Sequence, residues 1–273
     1  MAFSGSSALL LVLLGFAVGA FGTLVGAGGG FILAPILLVL YPHDSAQTLS
    51  SISIAVVFFN ALSGSVAYAR QQRIDLRVGG VLGAATLPGS IAGALLVSQV
   101  PRQAFDLVMA AVLALLALWL LTSKPHPPRA PRSGHTHRIL IDASGQRYEY
   151  DVPMLAGVLL SLVIGFVSSF LGIGGGVIHV PVMSQLLGLP VHIATATSHF
   201  VLAIMSGTAT LTHLAQGSYR AGDGLRRSIA LSVGVIVGAQ LGARLSLKTS
   251  APMIQRLLSL ALLAIAARLI ADA

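Results

Sequence analysis

Two short runs of the chain combine residue types and spacing that could do chemistry: Gly26-Ala-Gly-Gly-Gly30 and Gly172-Ile-Gly-Gly-Gly176. Each glycine in a helix interior costs about 1 kcal/mol relative to alanine, so four within five residues predict a break. A break frees main-chain N–H groups, and the piece that follows, opening near Phe31 or Val177, presents a positive N-terminus. Without a Cβ, the backbone also admits close approach by an oxyanion. Gly26, Gly28, Gly29 and Gly30, with Gly172, Gly174, Gly175 and Gly176, therefore predict a paired anion site that needs no arginine. The competing reading is close helix packing through small residues. Recurrence of the run, each time with a proline five residues on (Pro35 and Pro181), favours the site.

Hydroxyl and amide side chains fall in the same apolar surroundings. Ser50, Ser51, Asn60, Thr197 and Ser198 are the candidates for contacting a bound anion, with Ser53, Ser63, Thr195 and Ser206 of the same type. His179 and His199 are candidates too, either as ligands that gain charge by protonation or as neutral packing residues; His213 is the weaker case. Carboxylates are absent from the apolar runs: Asp44, Asp75 and Asp223 fit loops, and Asp106 fits a helix start. Cation carriers usually need buried acids, so metal or ammonium cargo is disfavoured. The chain has no cysteine, which removes thiolate chemistry and disulfides. His135 and His137 lack matched ligands nearby and read as solvated loop residues, so no metal and no cofactor is expected.

The elements that must hold these residues are membrane helices. Of 273 residues, 55% are hydrophobic and 9% charged, against about 25% charged in soluble domains. No Asp, Glu, Lys or Arg occurs in 1–43, 45–69, 78–101 or 152–219, and one helical crossing needs about 20 apolar residues. The net charge of +8 is scattered and forms no nucleic-acid patch. The opening MAFSGSSA lacks the basic region of a secretory leader, so the first apolar run is expected in the mature protein. The runs are too uniform for barrel strands, and the fold class expected is an all-α polytopic membrane protein. Its spans are 8–41, 46–69, 78–98, 103–122, 153–187, 191–216, 227–246 and 251–271. The two long ones, as unbroken helix, would extend about 51 Å against a core of about 30 Å, which again predicts a break.

The chain also reads as two repeated halves, each a glycine-interrupted first segment followed by three transmembrane helices. At an offset of about 146 residues, Gly19 matches Gly165, Thr23 matches Ser169, and Ser50-Ser51 falls close to Thr197-Ser198. The domains expected are an N-terminal repeat over 1–122, a polar linker over 123–152 and a C-terminal repeat over 153–273. The linker opens proline-rich (KPHPPRAPR) and continues as RILIDASGQRYEYDV, two alternating runs that predict a β-hairpin. Arg256 and Arg268 must snorkel from the ends of the last helix. If the long segments cross once, the halves run parallel and 12 of 16 Lys and Arg share the linker's side. If they are re-entrant, the halves are inverted and 11 of 16 do. The positive-inside rule does not separate these two.

GAGGGFILAP, its copy GIGGGVIHVP, Ala196-Thr197-Ser198 and the two-half layout resemble the TauE/SafE family of membrane transporters over essentially the whole chain. The first half departs from the threonine-serine pattern with Ser50-Ser51. The resemblance implies a transporter, often of sulfur-containing anions such as sulfite, a sulfonate or thiosulfate. The expected function is a secondary transporter moving such an anion through a midplane site between the repeats. An anion channel is the alternative. An intramembrane enzyme is disfavoured: paired membrane aspartates are missing, and Ala61-Leu-Ser-Gly64 lacks the first glycine of a rhomboid-type motif. The partners expected are a small anionic solute and the lipid bilayer, without nucleic acid; a homo-oligomer is left open. A bacterial inner membrane suits this layout.

Overall fold

The computed structural model describes residues 5–122, 135–219 and 223–271. The proline-rich part of the linker with Lys124, Arg129 and Arg132, and Arg220, lie outside the described residues. Ten helices and one hairpin follow in order. They are α1 (Gly5–Leu24), α2 (Gly30–Leu40), α3 (Ala46–Arg70), α4 (Leu76–Leu96), α5 (Arg102–Thr122), β1 (Thr136–Ile141), β2 (Arg147–Val152), α6 (Met154–Leu171), α7 (Gly176–Pro181), α8 (Val191–Ala215), α9 (Gly224–Lys248) and α10 (Ala251–Ala271). A π-helical turn, Val182–Leu186, continues α7. Among the described residues six helices are long and apolar enough to cross a membrane: α1, α3, α4 with its 3-10 extension, α5 through Trp119, α6 and α9. The protein is a multi-pass, helical membrane protein.

Small residues decide which helices meet. A Cβ on Gly234, Gly238 or Gly242 of α9 would collide with the carbonyls of Val12, Phe16 or Ala20 of α1, and one on Gly15 with that of Leu231. Gly89 and Gly93 of α4 lie likewise against the carbonyls of Leu162 and Phe166 on α6, and Gly165 answers against Thr86. Where lipid supplies no hydrophobic drive between helices, such backbone-to-backbone approach supplies the dispersion energy of association.

The contacts also fix the direction of each element. α1 runs parallel to α9, since Gly15 meets Leu231 and Gly19 meets Val235. The start of α9 is also where α2 ends: Arg227 lies 3.8 Å over the Tyr41 ring and pairs with Asp44 at 2.6 Å. The α1–α2 segment therefore leaves and returns to one end of the molecule. The α6–α7 segment does the same from the other end. It starts at Met154 beside the hairpin, and the loop after it packs Leu187 and Leu189 against Tyr150 and Val152. Both long segments therefore turn back on themselves, from opposite ends of the molecule.

The expected hairpin is present. β1 and β2 pair antiparallel with Thr136 opposite Val152 and Ile141 opposite Arg147. His137 faces Asp151, 3.0 Å away. The hairpin is clipped to the α3–α4 loop. Arg138 makes two 2.9 Å hydrogen bonds to the Asp75 carboxylate, Tyr150 OH donates a third at 2.9 Å, and Arg73 pairs with Asp142 at 3.4 Å. Asp75 also caps α4, accepting from the N–H groups of Arg77 and Val78. Burial alone would push its pKa up; Arg138, Val78 N–H and Tyr150 outweigh burial and hold it below the usual carboxylate range.

Candidate functional site at the crossing of the glycine turns

Both glycine runs break their helices. α1 ends at Leu24 and α2 begins at Gly30; α6 ends at Leu171 and α7 begins at Gly176. Gly26, Gly28 and Gly29 have φ of 80°, 74° and 77°, and Gly172 and Gly174 have 67° and 73°, a region nearly closed to side chains. The two turns touch. A Cβ on Gly30 would lie 2.5 Å from the Ile173 carbonyl oxygen, and one on Gly176 would lie 2.5 Å from that of Gly26. Gly28 and Gly174 both rest on Val57 and Leu202, each the twelfth of 25 residues in α3 and α8. The crossing therefore sits at mid-depth, and the residues forming it, 25–31 and 170–177, are buried.

The freed amides survive in this packing. First-turn hydrogen bonds run from Ile32 and Leu33 to the Gly29 carbonyl, and from Ile178 and His179 to that of Gly175. Among the described residues the N–H groups of Gly30, Phe31, Gly176 and Val177 have no main-chain acceptor. An orphan N–H away from water costs about 1–3 kcal/mol, so a turn that keeps such groups at this depth is a place where a bound acceptor lowers the free energy.

The two long helices α3 and α8 supply the side chains. Gly26 faces Thr195, and Gly172 faces Ser50. Ser198 Oγ donates to the Gly26 carbonyl at 3.3 Å, and Ser53 Oγ donates to the Gly172 carbonyl at 2.6 Å. The pairs that meet the turns alike are thus Ser50 with Thr195 and Ser53 with Ser198, one residue out of step with the offset read from the glycines. Ser50 Oγ also reaches the carbonyls of Ser169 and Phe170, both at 3.2 Å. Ser51 stays within its own helix, donating to Thr48 at 2.8 Å. Thr197 is used elsewhere: its hydroxyl accepts from the Asp75 N–H at 3.0 Å.

Asn60 and His199 come together through a residue noticed in the sequence only as a repeat match. Thr23 Oγ1 donates to Asn60 Oδ1 at 3.2 Å, so His199 Nε2, also 3.2 Å away, donates to it. The Thr23 carbonyl accepts from Tyr68 OH at 2.6 Å, and the Tyr68 ring meets His199 edge-on. Asn60 Nδ2 and Thr195 Oγ1 are buried without a partner. His179 differs. Its Nδ1 donates to the Gly175 carbonyl at 3.2 Å, and its Nε2 accepts from Ser161 at 3.3 Å, the satisfied pattern of a packing histidine. Tyr68 was missed in the sequence, although Asn60, Gly64 and Tyr68 at i, i+4 and i+8 mark one face of α3.

A family model for the sulfite exporter TauE/SafE matches residues 11–269. The chain belongs to the TauE/SafE family. Its relatives include the probable membrane transporter protein YunE of Bacillus subtilis, 29% identical over 97% of both chains. The probable membrane transporter protein MJ0441 of Methanocaldococcus jannaschii is 26% identical over 92% of this chain and 90% of its own. The probable membrane transporter protein YdhB of B. subtilis is 25% identical over 88% and 89%. No solved structure matches. A TauE/SafE protein is a membrane transporter.

Proposed function

We propose that this protein is a secondary transporter of a small, sulfur-containing oxyanion of the sulfite, sulfonate or thiosulfate type, bound where the two glycine turns cross. The observation that carries the reading is the pair of abutting first turns at mid-depth whose N–H groups lack main-chain acceptors. Broken helices of this kind aim positive ends at anionic cargo in transporters built from inverted repeats. On this reading residues 1–122 and 153–273 are two such repeats, joined by the linker 123–152. Gly26 to Gly30, Gly172 to Gly176, Ser50, Ser198, Asn60 and His199 surround the cargo, while Ser51, Thr197 and His179 support it from behind. Among the described residues eight of twelve Lys and Arg lie at the hairpin end, so that end is cytoplasmic by the positive-inside rule, in a bacterial inner membrane.

The test is uptake of labelled sulfite, a sulfonate and thiosulfate into vesicles holding the purified protein. Wild type should show saturable flux with counterflow. Gly29→Leu and Gly175→Leu should abolish it while the protein remains monodisperse on gel filtration. Undiminished transport by both variants would reduce the glycines to packing, and flux without saturation or counterflow would make the protein a channel.

A further inference from the structure

A cavity of about 650 Å³ lies away from the glycine crossing, between α3, α8 and α9. Its walls are ordered along the membrane normal. The deep part is formed by Ala55, Phe58, Ile204, Gly207 and Ile236, apolar throughout; the shallow part, toward the start of α9, by Leu214, Tyr219, Leu225 and Ser228. Rim residues Leu211, Ile229 and Val233 are more than half exposed, so the cavity opens sideways where a membrane helix faces lipid.

Two features make this more than an apolar face. Ser232 Oγ lines the cavity and is buried without a hydrogen-bond partner, and Thr210 Oγ1 lines it beside the Tyr219 hydroxyl. Ser232 is the ninth residue of α9 and Thr210 the sixth from the end of α8, which sets both about 8–12 Å below the helix ends at 1.5 Å per residue. The second feature is Arg226, at i−3 and i−7 from Ile229 and Val233 and therefore on the cavity's own face of α9. Its side chain is 70% exposed, with Asp223 3.6 Å away. From the surface inward the slot offers a cation, then a hydroxyl that needs an acceptor, then hydrocarbon.

We propose that this slot holds one anionic phospholipid, its phosphate at Arg226, an ester carbonyl at Ser232, and one acyl chain along Phe58, Ile204 and Ile236. The order of groups matches that of a lipid from headgroup to tail, and basic residues at the surface favour anionic headgroups. The assignment is independent of cargo binding at the crossing.

The full chain, delipidated in detergent, would be titrated with palmitoyl-oleoyl phosphatidylglycerol or phosphatidylcholine and read by native mass spectrometry. One phosphatidylglycerol should bind in preference to phosphatidylcholine. Arg226→Gln should weaken phosphatidylglycerol about fivefold, the effect of about 1 kcal/mol per basic residue, and leave phosphatidylcholine unchanged. Ser232→Leu, which fills the slot, should weaken both; Leu9→Trp, on the exposed face of α1, should change neither and controls for folding. Equal retention of both lipids by all four proteins would overturn the proposal. So would a dimer, abolished by Ser232→Leu, in place of bound lipid, because the slot would then belong to a second copy.

Discussion

The two glycine turns share a skeleton and differ in what surrounds it. Both rest on Val57 and Leu202, and both have a first carbonyl capped by a serine of a long helix. The turn at Gly26 then meets Thr23, Asn60, His199 and Tyr68, a polar network with Asn60 Nδ2 unsatisfied. Near the turn at Gly172, Ile54 of α3 packs with Ala94 and Ala209, and Met205 lies against Gly175. The backbones differ as well: Gly29 is left-handed at φ 77°, whereas Gly175 is right-handed at φ −67°. If the crossing holds the anion as proposed, the shared skeleton supplies the general geometry and the unequal linings make the Gly26 side the source of selectivity.

The largest expected effect tests the backbone half of that comparison. Gly29→Ala forces a side chain into left-handed geometry and sets its Cβ 2.8 Å from the Val18 carbonyl oxygen; it should cost about 1–3 kcal/mol. Gly175→Ala keeps an ordinary φ and meets His179 Nδ1 at 2.9 Å and the mobile Met205 sulfur at 3.1 Å, so its cost should be smaller. Melting temperatures of the two purified variants measure the difference. Equal losses would mean that the turns are held by packing alone.

Side chains come next. Asn60→Leu removes an amide whose Nδ2 has no partner but whose Oδ1 accepts from Thr23, so stability should fall by about 1 kcal/mol while transport falls about tenfold, the weight of one hydrogen bond of about 1.4 kcal/mol. Met205→Leu, beside the other turn, should leave transport within about twofold, as volume-conserving swaps usually do. A comparable loss from Met205→Leu would erase the proposed division between the two sides.

Much of this was legible before any coordinates. The breaks, the spans and the hairpin follow from glycine's helix cost, from charge-free lengths and from alternation, all local physics. Direction was not legible, because 12 of 16 and 11 of 16 basic residues are too close for charge bias to decide. Nor was the pairing on α3 and α8: the sequence sets Ser50-Ser51 close to Thr197-Ser198, whereas the residues that meet the two turns alike are Ser50 with Thr195 and Ser53 with Ser198. Asp75 looked like a loop residue, and its role needs Arg138 and Tyr150, more than 60 residues away, to be brought to it.

That buried carboxylate gives the smallest effect and the sharpest contrast between the two ends. Asp75 fastens the hairpin and, through its N–H, holds Thr197 next to the serine that caps Gly26. Its lowered pKa means that its stabilising contribution is complete above the unfolded value, about 3.9, and fades as pH falls through the folded value. Tyr150 has its pKa raised by burial and by Asp75; its contribution is complete below about 10 and fades above. Between about pH 5 and 9 the clip should therefore leave stability flat. Acidification below about pH 4 should raise hydrogen exchange first in the hairpin and the opening turns of α8, before the start of α3 at the opposite end. Asp75→Asn should show that fast exchange already at pH 7 and lose the acid dependence there. Simultaneous opening of both ends would mean that the clip does not set the stability of the Gly26 side.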